Sequence, residues 1–397
     1  MLGIGIICGT EAVFYLEVHQ LDSDRKMIEG TSVTCVYQYE KLANLGIGMS
    51  LSGGWNMEYI VRLSEELSDY TRPELLEFCE ITYESRYVPL IGVRTSFPDH
   101  IATLSFVETV RVPLEGEYQE GEFLTTLIFE PSIKKRVLTN NQLVGWGDTR
   151  IAVLDSGVSP EITAECIDFT STGSLDTNNH GDDVIRIVKH FARGCNLYSA
   201  KVGSVRPNEL YVMRGLEWAA DKGVNIINIS AGFKNQCHNG DCDLCKLVNE
   251  ITKDGIAVVV AAGNNDNVEN SIECPGLASL AITVGAVDRE RKMASYTSFG
   301  KVGGDKPNLV ASGTANIDGR VRNGTSFAAP VVTGILGAIL HRVGTVSTAV
   351  EYIYSTVDDL KLPRHQQGHG LLNLEKLVEV VLHETAHFES TGQDQSS

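Results

Sequence analysis

"RNGTSFAAPVVTG", Arg322 to Gly334, is the stretch whose reading decides the fold. A Gly-Thr-Ser turn opens a run of small and apolar residues, and Pro330 falls within the first turns of a helix, where proline is tolerated. Small side chains let such a helix run buried through a core. Taken alone, this describes a plain core helix with Ser326 at its start. A serine there is also well placed as a nucleophile, because the helix end supplies N–H groups and positive potential where an oxyanion would form.

A serine hydroxyl needs a base to become nucleophilic, and the base needs an orienting acid. Working outward, Asp155 closes the apolar run "RIAVLD" and is the candidate acid. His180, in "NNHGDDVIRIVKHFA" (Asn178 to Ala192), is the candidate base. Asn264 in "VVVAAGNND" offers a side-chain N–H at a strand end, suited to an oxyanion hole. Each residue also has an ordinary structural reading: a turn aspartate, a polar helix start, an asparagine favoured after a glycine.

From Arg150 onward short apolar runs alternate with amphipathic stretches. "RIAVLD", "LYSAKV", "VNIINIS", "IAVVVAA" and "AITVGAV" read as buried strands. Val184, Ile187, Val188 and Phe191 fall at i, i+3, i+4 and i+7, and "NELYVMRGLEWAADKG" has the same character. This pattern implies a mainly parallel sheet covered on both faces, with working residues at the carboxyl ends of strands. Asp155, Ser230 and Asn264 all fall at such ends.

In the order Asp, His, Asn, Ser, the chain resembles the subtilisin-like serine peptidases. "IAVLDSGV" is similar to the aspartate motif of that family, "NHGDDV" to its histidine motif and "NGTSFAAPVVTG" to its serine motif. The match spans roughly residues 140–380. It implies a three-layer αβα fold with a mainly parallel central sheet. It also implies that Asp155 orients His180, that His180 takes the proton of Ser326 as it attacks a peptide carbonyl, and that Asn264 holds the oxyanion. Ser230, Ala231 and Gly232 in "INISAG" would pair with the backbone of a protein or peptide substrate. The other class of function open to the sequence is a regulatory or binding protein without catalysis, built on the same scaffold.

Three features depart from the family pattern. Asp182 and Asp183 stand where the family has Thr-His. As carboxylates at a helix start they suit the positive helix end better than a metal site on His180, and their charge would raise the pKa of the base. Cys237, Cys242 and Cys245 have the spacing C-x4-C-x2-C, and Cys274 follows in "IECPG". Four thiolates there would suit structural zinc, two pairs would suit disulfides, and free cysteines are the plain reading. No cofactor is required for the chemistry, and no calcium ligand set can be matched.

The third departure is the front of the chain. Residues 1–113 read as a small α+β domain, with "NMEYIVRLSEELSDY" as an amphipathic helix, "RYVPLIGVRTSF" as a strand, "PDHIATL" as a short helix and "FVETVRV" as an edge strand. Arg86 to Val112 is similar in pattern to the end of the prodomain that subtilases often carry. The resemblance implies a first domain that restrains its own enzyme, with residues 114–147 as connector and processing region. Residues 148–388 would then be the catalytic domain and 389–397 a polar tail.

A net charge of −18 argues against nucleic acid or an anionic membrane surface as a partner. The apolar start "MLGIGIICGTEAVFYLEVHQ" has no positive leader and is interrupted by Glu11, so it reads as strands instead of a signal peptide. No run reaches the roughly 18 apolar residues of a membrane span. Nine cysteines without an export signal point to reduced thiols and a cytoplasmic setting.

Overall fold

The computed structural model describes residues 6–8, 11–18, 31–38, 57–119, 148–162, 164–234, 237 and 239–392. The chain divides into two compact units, Met1–Trp55 and Asn56–Ser397. In the first, β1 (Ile6–Cys8), β2 (Glu11–Val18) and β3 (Thr31–Gln38) form an antiparallel sheet in chain order. The strand expected at "NLGIGMSLSGG" lies outside the described residues.

The second unit opens with β4 (Met57–Leu63), α1 (Thr71–Leu76), β5 (Glu80–Glu84), β6 (Leu90–Thr95), α2 (Pro98–Ile101) and β7 (Val107–Arg111). The four strands pair antiparallel in the order β5-β6-β4-β7, which leaves β7 at an edge as expected. The helix expected at "NMEYIVRLSEELSDY" is corrected: its apolar half is strand β4, and the short helix comes after it. Ile60 and Val61 are consecutive and both buried, on opposite faces of the sheet. Val61 and Leu63 pack with Leu75 and Ile101 of the two helices, while Ile60 and Leu90 join the core of the following region. A strand buried on both faces loses the alternation that distinguishes it from a helix.

The remaining strands are β8 (Glu117–Tyr118), β9 (Arg150–Asp155), β10 (Glu165–Asp168), β11 (Asn196–Lys201), β12 (Ile226–Ile229), β13 (Ala231–Gly232), β14 (Ala257–Ala261), β15 (Ile282–Val287) and β16 (Leu309–Ser312), with a hairpin of β17 (Thr314–Ile317) and β18 (Arg320–Asn323). Seven of them form one parallel sheet in the order β10-β11-β9-β12-β14-β15-β16. The helices are α3 (His180–Phe191), α4 (Glu209–Asp221), α5 (Asp243–Lys253), α6 (Thr325–Val343), α7 (Val346–Ser355), α8 (Arg364–Gln367) and α9 (Leu374–Gly392). Helix α9 thus runs past the expected start of the polar tail at 389.

Strand residues feed two cores in alternation. Ile151, Val153, Val259 and Ala261 face α3 and α6, while Ala152, Leu154, Val258 and Val260 face α4 and α5. Each fully buried Val, Leu or Ile contributes ~1.5–3 kcal/mol of transfer free energy. Helix α6 is buried from Thr325 through Leu340. By length and composition it could cross a membrane, which corrects the expectation that no segment reaches that size; here it is the core helix. Its close approach to α3 depends on Gly334, where a Cβ would lie 2.8 Å from both the Phe191 Cβ and the Val188 carbonyl.

The four-stranded sheet lies on α4 and α5 through charged contacts around the shared apolar patch. Arg111 makes two hydrogen bonds to the fully buried Glu209 at 2.7 and 2.8 Å, and Arg62 pairs with Asp243. Arg214 reaches Glu58 at 3.0 Å, and the Tyr83 hydroxyl donates to Glu217 at 2.8 Å.

Candidate active site

The adjacency of β9, β12 and β14 brings three strand ends together, and the start of α6 meets them. Asp155 is the last residue of β9, and its Oδ1 accepts from His180 Nδ1 at 2.7 Å and from the Ser156 N–H at 2.8 Å. Both side chains are buried. Burial pushes the Asp155 carboxyl above its ordinary value, against the lowering pull of His180. The imidazole is held between two rings, Tyr118 stacked on it at 4.8 Å and Phe327 tilted at 5.6 Å.

His180 begins α3, and nearby side chains and one backbone carbonyl bind the orphan N–H groups of its first turn. Asn178 Oδ1 accepts from His180 N at 2.7 Å, Ser156 Oγ from Gly181 N at 2.9 Å, Asp176 Oδ2 from Asp182 N at 2.8 Å, and the Asn179 carbonyl from Asp183 N at 3.1 Å. The two acids that follow are fully engaged. Asp182 accepts from the Ser159 N–H at 2.6 Å and from its hydroxyl. Asp183 is buried and accepts from Arg320 at 2.8 Å and Arg322 at 2.6 Å. They tie the start of α3 to the neighbouring loop and hairpin.

Ser326 lies in the first turn of α6, buried, with its Oγ donating to the Ser230 carbonyl at 2.8 Å. The Ser230 hydroxyl donates back to the Ser326 carbonyl at 2.9 Å. That carbonyl is free to accept because Pro330, four residues on, has no N–H to give it. Asn228 Nδ2 donates to Ser230 Oγ at 2.9 Å, and Thr333 Oγ1 to Asn228 Oδ1 at 2.8 Å, so the serine's surroundings are locked from both sides. Asn264 Oδ1 accepts from the N–H and the hydroxyl of Thr325, each at 3.1 Å. Its Nδ2 is buried and has no hydrogen-bond partner among the described residues. A fixed, unspent donor of this kind is costly unless something anionic comes to it.

The residues that sequence reasoning missed are the most telling. Strand β8 pairs antiparallel with β13, Tyr118 opposite Ala231 and Glu117 opposite Gly232. The Gln119 N–H donates to the Ser230 carbonyl at 3.2 Å, and the Ser326 N–H donates to the Gln119 carbonyl at 3.2 Å. On the other side, Gly116 N bonds the Pro207 carbonyl at 2.7 Å and the Tyr118 hydroxyl bonds the Gly203 carbonyl at 2.7 Å. Residues 114–119 therefore run as an extra strand between the 203–209 segment and Ser230–Phe233.

The Gln119 side chain enters a pocket beside Asn264. Its Nε2 donates to Glu273 Oε2 at 2.7 Å and to the Glu117 carbonyl at 3.0 Å, and its Oε1 accepts from the Asn264 N–H at 3.0 Å. Glu273 is buried, and burial raises its carboxyl above the ordinary range while Asn265, donating at 2.7 Å, opposes the shift. Gly232 leaves room for this meeting: a Cβ there would run into Glu273 Oε2 and lie 2.9 Å from Gln119 Nε2. No local pattern marks Gln119 or Glu273.

The four cysteines converge behind that pocket. Sγ atoms of Cys237, Cys242, Cys245 and Cys274 all lie within 4.8 Å of one another, and none of these four is in a disulfide. A separate open cleft of about 1170 Å³, lined in part by Arg186, His190 and Asn316, includes none of the residues above.

A parallel αβα sheet with a buried His–Asp pair and a serine at a helix start, next to an unspent amide donor, defines a class of hydrolase. The sequence model of the subtilase family, peptidase S8, matches residues 147–370. The chain belongs to that family and is a subtilisin-like serine protease. It is 29% identical to subtilisin DY of Bacillus licheniformis over 252 residues, 57% of this chain and 90% of that protein. It is 26% identical to an alkaline protease of Alkalihalobacillus alcalophilus, over 79% of this chain and 86% of the relative. Among solved structures, the epidermin leader peptide processing serine protease of Staphylococcus aureus superposes with a TM-score of 0.65 at 17% identity, over 82% of this chain and 99% of that one.

Proposed function

We propose that the chain is a serine endopeptidase acting through Asp155, His180 and Ser326, and that it processes itself on the carboxyl side of Gln119. The observation that carries this reading is the hydrogen bond from the Ser326 N–H to the Gln119 carbonyl at 3.2 Å. It sets a peptide carbonyl of the chain against the nucleophile's own backbone, with the Gln119 side chain seated in the Glu273 pocket.

The steps follow from the groups present. The Ser326 hydroxyl turns from the Ser230 carbonyl and gives its proton to His180 Nε2 as Oγ bonds to the Gln119 carbonyl carbon. Negative charge then develops on the oxygen, which receives the Ser326 N–H and the unspent Asn264 Nδ2. The Asp155 carboxylate, buried against Nδ1, stabilises the imidazolium and fixes its tautomer. Collapse breaks the Gln119–Glu120 C–N bond, and His180 protonates the departing amine. Water, deprotonated by His180, then hydrolyses the acyl-enzyme. The cut product keeps its strand and its charged contacts to α4 and α5, which makes residues up to Gln119 an inhibitor of their own enzyme.

The same pocket sets the taste for substrates. A buried carboxylate acceptor and a backbone donor suit an amide side chain, and the Tyr118 ring on His180 suits an aromatic residue before it. An internally quenched peptide containing Gly-Glu-Tyr-Gln tests this. Processed enzyme should cut it after Gln, and Ser326→Ala should not. Cleavage at another bond, or none, refutes the reading.

A further inference from the structure

We propose that Cys237, Cys242, Cys245 and Cys274 hold a structural zinc ion that ties the wall of the specificity pocket to helix α5. Four thiolates around zinc, with Zn–S bonds of about 2.3 Å, place their sulfurs about 3.8 Å apart at the corners of a tetrahedron. The sulfur separations here bracket that value: 3.1 Å for Cys237–Cys274, 3.6 Å for Cys242–Cys274 and 4.0 Å for Cys237–Cys245, with every pair within 4.8 Å. Cys237, Cys242 and Cys245 share one short stretch of chain, and the fold brings Cys274 to them from the separate loop that also carries Glu273.

The surroundings fit the ion. Cys245 and Cys274 are buried and Cys237 and Cys242 half-buried, within the apolar core that contains Phe233, Leu244 and Val248. Cys242 is the cap residue of α5 and Cys245 lies in its first turn, so one helix start fixes the positions of two of the four sulfurs. A soft, closed, all-sulfur tetrahedron selects zinc over calcium or magnesium, which take oxygen ligands. Binding converts four thiols to thiolates and releases four protons, with no change of oxidation state.

What the ion would join gives it a use. Cys274 follows Glu273, and its backbone pairs with Phe233 in both directions, at 2.9 and 3.3 Å. Phe233 follows β13, the strand that holds Tyr118 and Glu117. On the other side, Asp243 beside Cys242 takes the ion pairs from Arg62 and Arg111. One cation would thus cross-link the pocket loop, the strand edge and the helix that seats the β5-β6-β4-β7 sheet. This bracing of the Glu273 pocket rests on the peptidase reading, whereas the metal itself does not.

The test uses full-length Ser326→Ala protein, which stays uncut whatever the pocket does. Metal analysis should find one zinc per chain, and cobalt added to zinc-stripped protein should give thiolate-to-cobalt charge-transfer and tetrahedral d–d bands. Cys242→Ser with Cys245→Ser should lose both, and zinc removal should lower the melting temperature. Protein without zinc and without a cobalt spectrum, a mass reduced by the four hydrogens of two disulfides, or iron in place of zinc overturns the proposal. In the active enzyme, zinc removal should raise KM for the Gly-Glu-Tyr-Gln peptide more than it lowers kcat. A zinc-loaded protein whose KM ignores zinc removal overturns the bracing role.

Discussion

Gln119 and Glu273 meet in a buried contact, and their chemistry predicts which chains the enzyme will cut. Gln119→Glu would put a second carboxylate 2.7 Å from Glu273 in place of a donor. Like charges so placed cost several kcal/mol, so self-cleavage should slow by about 100-fold or more. Adding Glu273→Gln should recover much of that rate, measured as the first-order loss of intact chain. Equal rates for all three proteins would remove Glu273 from specificity. Asp155 carries a different prediction. Its folded carboxyl is raised by burial, so the folded state binds a proton more readily than the unfolded one. The contribution of such a group is fully present below its unfolded pKa and is lost as pH rises through the folded value. Asp155→Asn, compared with its parent in the Ser326→Ala background, should therefore gain more melting temperature at pH 7 than at pH 4. A pH-independent difference would contradict the burial argument. Asp155, His180, Asn264 and Ser326 were readable from the sequence because a strand end or a helix start is written in the residues around it. Gln119 and Glu273 were not, since their pairing across 154 positions exists only once the strands are stacked.

Among the elements, the four-stranded sheet and helices α4 and α5 form a contact that, under the proposed self-cleavage, would retain the amino-terminal product by non-covalent contacts alone. Arg111 is its anchor, with two hydrogen bonds to a fully buried carboxylate. Arg111→Met leaves Glu209 buried without that cation, at a cost of about 3 kcal/mol. The dissociation constant of the product should then rise roughly 100-fold, seen as lost co-elution and as relief of inhibition on dilution. Retention unchanged from the parent would show that the sheet is not held this way. Strands β9, β11, β12, β14 and β15 were legible because they feed the cores and read as apolar runs, whereas β10, a half-exposed edge strand, and β16 were not read. Strand β4 was misread for the same reason, since burial of both Ile60 and Val61 mimics a helical stripe. The start of helix α6 was legible, its small residues being what a buried helix requires, whereas its full run to Val343 was not.

At the scale of the whole molecule, the chain threads its own residues 114–119 through the cleft that the parallel sheet builds. Tethering makes the substrate intramolecular, so processing should be independent of protein concentration. The central claim is that Ser326 cuts the bond its own backbone N–H already marks. Intact mass spectrometry of the purified wild type beside Ser326→Ala tests it most directly. The account predicts two wild-type fragments, one ending at Gln119 and one beginning at Glu120, and a single uncut chain for the variant. An uncut wild type, a cut elsewhere, or the same cut in Ser326→Ala would contradict it.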